Sequence, residues 1–157
     1  MRALALVAAC LVAATAASSA RADGDPASDY LLVQRVFVPA EGALAASQQQ
    51  ALQKAVASAN KSGFAIRVAV IYSSYDLGSV TVLWKKPQTY ARFLGAELSF
   101  VYKQRLLVVM PNGFGFNWPK HPSTSEYAAL AKVPLKRGTA GLIESATAAV
   151  QALSKSG

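Results

Sequence analysis

The chain has one cysteine, Cys10, and one histidine, His121, among 157 residues. A lone cysteine excludes an internal disulfide and any zinc site built on cysteine pairs. With one histidine, a metal site would have to rest on carboxylates, and the chain holds only eight Asp and Glu. No Gly-x-Ser-x-Gly elbow is present, and Gly138-Thr139-Ala140-Gly141 lacks the lysine and the length of a phosphate loop. Asp23, Asp25 and Asp29 are spaced like the start of a calcium loop, but the glycine and distal glutamate of such a loop are missing. No run of five or more like charges occurs, so nothing signals a nucleic-acid or polybasic membrane site. No cofactor is expected, and no metal ligands can be named.

The first 22 residues have the three parts of a cleavable signal peptide of bacterial type. Arg2 supplies the positive charge, Ala3 to Ala17 is an apolar run, and Ala20-Arg21-Ala22 carries the small residues that a signal peptidase requires. The apolar run is shorter than the roughly 20 residues of a membrane span. Val7-Ala8-Ala9-Cys10 also satisfies the small-residue rule for a lipoprotein cut. The residues after Cys10 stay apolar, however, so Cys10 is read as part of the apolar run. The expected mature protein is residues 23–157, exported and extracytoplasmic or secreted, with no membrane span. Without Arg2 and Arg21, 14 of the 16 Lys and Arg remain against 8 Asp and Glu, a formal charge of +6. Such a charge favours anionic partners, among them wall polymers and phospholipid surfaces. Export makes nucleic acid an unsuitable partner.

The mature chain predicts one α/β domain, a small mixed sheet of about four strands flanked by about four helices. Asp23 to Ser28 reads as a flexible polar leader, and Tyr30 to Val38 as a strand stopped by Pro39. Ala43 to Asn60 is predicted helical, with Leu44, Leu52, Ala55, Val56 and Ala59 on one face and Gly63 past its end. Phe64 to Tyr72 is a buried strand, apolar apart from Arg67. Asp76 is placed to cap a short element over Leu77 to Trp84, either helix or strand. Pro87 opens a helix to Leu98 whose Tyr90, Phe93, Leu94 and Leu98 face the core. Arg105 to Met110 is a second buried strand, Asn112-Gly113 a turn, and Phe114, Phe116 and Trp118 alternate along the returning strand. Ser123 with Glu126 resembles a capping box for a helix to Lys132, and Thr139 to Leu153 is a closing amphipathic helix.

This order of elements resembles the TPM domain family, across the whole mature chain. The residues that carry the likeness are the segment from Asp29, Lys61-Ser62-Gly63 with the strand Phe64 to Tyr72, Tyr90-Ala91, Arg105 to Met110, Val133 to Gly138, and Gly141-Leu142-Ile143. The resemblance implies an exported or lumen-facing domain, of a kind implicated in photosystem repair and membrane-protein assembly. The chain departs from the family after the hairpin. Where the family has a glycine-rich turn and an acidic helix start, this chain has Phe114-Gly115-Phe116-Asn117-Trp118-Pro119-Lys120-His121-Pro122. The phosphatase activity and calcium binding ascribed to some members are not carried over without those carboxylates.

If Phe64 to Tyr72 and Arg105 to Met110 are parallel neighbours, ligands are expected beyond their carboxyl ends. Ser74, Tyr75 and Asp76 lie in one loop there and Asn112 in the other, bordered by Phe114, Phe116 and Trp118. Three functions are compatible with these residues. The first is a non-enzymatic envelope module that binds a protein partner or aids membrane-protein assembly. The second is a metal-dependent, phosphatase-like hydrolase using Asp76 and a divalent cation. The third is a binder of anionic wall polymer.

Overall fold

An Asp-Pro helix-start signal opens the described part of the chain. In the computed structural model, residues 24–38 and 46–156 are described. The expected signal peptide, Cys10, Asp23, Pro39 and the expected helix start at Ala43 and Leu44 lie outside them. Asp25 caps helix α1 (Pro26–Val33), its carboxylate accepting the amide of Ala27, with proline in the first turn. Cap and proline together override the strand-forming composition of Tyr-Leu-Leu-Val. The first part of the expected strand, Tyr30 to Val33, is therefore helix, and only β1 (Val36–Phe37) is strand. Asp25 to Ser28 of the expected leader are likewise part of the fold, because Asp25, Ala27 and Ser28 are buried.

The remaining elements follow in order. They are α2 (Ala46–Lys61), β2 (Ile66–Val70), a kinked 3-10 segment (Ser74–Leu83), α3 (Pro87–Glu97), a 3-10 turn (Leu98–Phe100), β3 (Arg105–Met110), β4 (Gly113–Asn117), α4 (Thr124–Leu130) and α5 (Gly138–Ser156). The Leu77 to Trp84 region is thus neither a regular helix nor a strand, since Gly78 and Val80 break the helical backbone. Ser123 makes no capping bond with its side chain. Glu126 instead accepts the hydroxyl of Ser125.

The sheet runs β1-β2-β3-β4, parallel across the first three strands and antiparallel at the hairpin. Side-chain alternation along the strands divides the core in two. Val68, Leu107 and Phe116 point to α2 and α5, where Leu52, Val56, Leu142, Ile143, Ala146, Val150 and Leu153 meet them. Ala69, Ile71, Val108 and Met110 point the other way, to Ala27 and Leu31 of α1 and Tyr90 and Leu94 of α3. The central strands are therefore covered on both faces, which accounts for their nearly uniform apolar character. Among the described residues no helix is long and apolar enough to cross a membrane.

Candidate functional site

The carboxyl edge of the parallel strands holds the first group of candidate residues. β2 and β3 are parallel neighbours, so the loops carrying Ser74, Tyr75, Asp76 and Asn112 both leave this edge. Asp76 is engaged locally: the amides of Tyr72 and Ser73 both donate to its Oδ2 at 2.7 Å. Asn112 donates to the carbonyl of Lys85 at 2.7 Å and ties the hairpin turn to the chain before α3. Ser74 is half-buried, and Tyr75 projects into solvent at 82% exposure.

The three aromatic residues do not form one patch with these loops. Phe114 pairs across from Val109 near the carboxyl edge, partly buried against the core. Phe116 is 1% exposed and is core. Trp118 follows β4 at the opposite edge, beside Arg105, about 17 Å of extended strand from the turn. There the Arg105 guanidinium lies between two rings, 4.1 Å from the centroid of Phe64 and 3.7 Å from that of Trp118. His121 stacks on the outer side of Trp118 at 3.7 Å. Among the described residues no cluster of three or more His, Cys, Asp and Glu is placed to hold a metal ion.

A cavity of about 410 Å³ opens instead at the amino end of β1 and β2. Tyr30, Gln34 and Arg35 from the end of α1, Gln53 from α2 and Arg67 from β2 supply its polar lining. Strand register sets its centre. Val36 pairs with Val68, and the amide of Val68 donates to the carbonyl of Arg35 at 2.9 Å. Arg35 and Arg67 are thereby neighbours across two strands. Arg67 donates through Nη1 to the carbonyl of Leu31, and its guanidinium sits 4.2 Å from the ring centroid of Tyr102. Tyr102 in turn donates to the carbonyl of Arg105 at 2.9 Å.

The electrostatics of this cavity are one-sided. Burial lowers the pKa of the Arg67 guanidinium, and the like charge of Arg35 lowers it further. Arginine nonetheless stays protonated. Burial also raises the Tyr102 hydroxyl above its ordinary value, although Arg67, Arg105 and Arg35 all pull it down. Among the described residues the one ion pair is Lys136 with Glu144, so neither cavity arginine has a carboxylate partner there. Two arginines lining one cavity match a carboxylate or phosphate in charge. Sequence reasoning misses Arg35, Gln53 and Tyr102, and it marks Arg67 only as a break in an apolar strand. That break is the one available signal.

Compared with protein-family models, with curated proteins and with solved structures, the chain matches none.

Proposed function

We propose that this protein is a non-enzymatic, extracytoplasmic binding module that holds an anionic group of its partner in the Arg35–Arg67 cavity. The observation that carries this reading is the pair of adjacent cavity arginines without a carboxylate partner among the described residues. Desolvating a guanidinium beside another is unfavourable, and an anion received from outside removes that cost. The reading joins two expectations, a partner-binding envelope module and a binder of anionic polymer. The TPM resemblance belongs to the same proposal and supports an assembly role at the envelope. A hydrolase reading gains no comparable support. Asp76 uses Oδ2 to hold the turn after β2 together, and no metal-binding cluster stands beside it among the described residues.

The test is calorimetric titration with glycerol phosphate at low ionic strength. Binding is expected, weakening with added salt as screening predicts. Arg67→Gln and Arg35→Gln are each expected to weaken it by about ten-fold or more, the scale of losing a charge-assisted hydrogen bond. Asp76→Asn keeps an acceptor for the two amides and is expected to leave binding unchanged. Absence of binding by the native protein sinks the anion site. A metal-induced rise in melting temperature that vanishes in Asp76→Asn favours the hydrolase instead.

A further inference from the structure

The cavity shares its edge of the sheet with a group of exposed apolar side chains. Phe100 is 96% exposed and Val101 59% exposed, in the turn that joins α3 to β3. Val33, at the end of α1 and on the cavity rim, is 81% exposed. α1 packs against the turn that carries Phe100, so the two exposed segments stand side by side.

This exposure belongs to a built turn. Leu98 is fully buried at its base. The amides of Val101 and Tyr102 both donate to the carbonyl of Leu98, at 3.0 and 2.8 Å. Tyr102 turns inward over Arg67, which leaves Phe100 and Val101 facing outward. This segment therefore presents apolar side chains to solvent and an aromatic ring to the Arg67 guanidinium. Exposed Arg35 and Lys103 flank it, with Glu97 the acidic neighbour on the helix that leads in.

We propose that this edge docks on an anionic phospholipid bilayer. Phe100 and Val101 enter the headgroup region, and Arg35 and Arg67 take a lipid phosphate. The inference rests on the anion-binding reading of the cavity and adds its source. A bilayer suits the geometry because Phe100 projects from a short turn at 96% exposure. A soft interface receives a protruding aromatic ring without a matching pocket, and basic side chains around it add attraction to anionic headgroups. A large exposed apolar side chain next to cations marks an interaction surface. The cations come from three separate segments, which is why no basic run marks the surface in the sequence.

The experiment is co-sedimentation with vesicles, with glycerol phosphate titration run on the same proteins. The native protein is expected to bind vesicles containing phosphatidylglycerol at least about ten-fold more tightly than pure phosphatidylcholine vesicles, the preference falling with salt. Phe100→Ser with Val101→Ser is expected to cost vesicle binding about ten-fold and to leave glycerol phosphate binding unchanged. Arg35→Gln with Arg67→Gln is expected to lose both. Glycerol phosphate binding without vesicle binding overturns the membrane inference and leaves the cavity reading standing. Vesicle binding indifferent to Phe100 and Val101 also overturns it. Failure to bind either probe overturns both readings.

Discussion

Gly115→Ala is expected to destabilise the protein by at least about 3 kcal/mol, beyond the usual range for a single added methyl in a packed core. A Cβ placed on Gly115 lies 1.9 Å from the carbonyl oxygen of Pro87, 2.3 Å from its carbon and 2.9 Å from the amide nitrogen of Gln88. All three are backbone atoms, and no rotamer change relieves them. Retreat of α3 is opposed by its own bonds to β4. The Gln88 side-chain amide donates to the carbonyl of Phe116 at 3.2 Å, and its oxygen accepts the Phe116 amide at 3.1 Å. Gln88 thus stands in for a missing neighbouring strand at the edge of the sheet. Thermal denaturation followed by circular dichroism should show a loss of more than about 10 °C, given the entropy of unfolding of a domain this size. Gly63→Ala is the control. Gly63 has φ +90 and nothing within 4 Å of an added methyl, so its cost is backbone strain alone, about 1 kcal/mol. Equal losses at the two positions would show that α3 does not press on β4 at Gly115.

The second large effect is a pH dependence centred on Asp25. This carboxylate is 4% exposed and caps α1. Tyr90 donates its hydroxyl to both carboxylate oxygens, at 2.7 and 2.8 Å. Burial pushes the pKa from 3.8 up to about 6, against the lowering effect of the Tyr90 and Ala27 bonds. The folded state therefore binds the proton more tightly than the unfolded chain. The stability this contributes is fully present below pH 3.8 and is lost as pH rises through about 6. At about 1.4 kcal/mol per unit, the loss is on the order of 2–3 kcal/mol. Asn in place of Asp25 keeps an acceptor for Tyr90 and for the helix cap while removing the charge. Denaturant unfolding at a series of pH values should show the difference between the native protein and Asp25→Asn moving in favour of the variant as pH rises from about 4 to about 7. A constant difference across that range would refute the buried-charge account. Asp25→Ala is a separate case. It strands the fully buried Tyr90 hydroxyl and removes the cap, at a cost of about 2–4 kcal/mol.

Local signals suffice wherever one element's own residues decide its state. Pro87 begins α3, Arg105–Met110 is β3 with the expected ends, and the inner face of α5 is the predicted one. Apolar periodicity marks these because each element must bury one face or both. α1 departs from the expected strand because the Asp25-Pro26 start signal outweighs the strand-forming composition that follows it.

The long-range features have a different origin. The bond from Tyr90 to Asp25 joins residues 65 positions apart, and that from Gln88 to Phe116 joins residues 28 apart. Ser74, Asp76 and Asn112 are reached by topology, since parallel strands place their exits at one edge. Trp118 does not belong with them, because an antiparallel return carries it to the far edge, beside Arg105. The sequence by itself determined the α/β class, the two buried central strands and the closing helix, because hydrophobic pattern and turn chemistry act within a few residues. Only the tertiary structure decided that Arg35 and Arg67 line one cavity and that Tyr102 packs on Arg67. Strand register and helix packing make those neighbours, and no single segment carries that information.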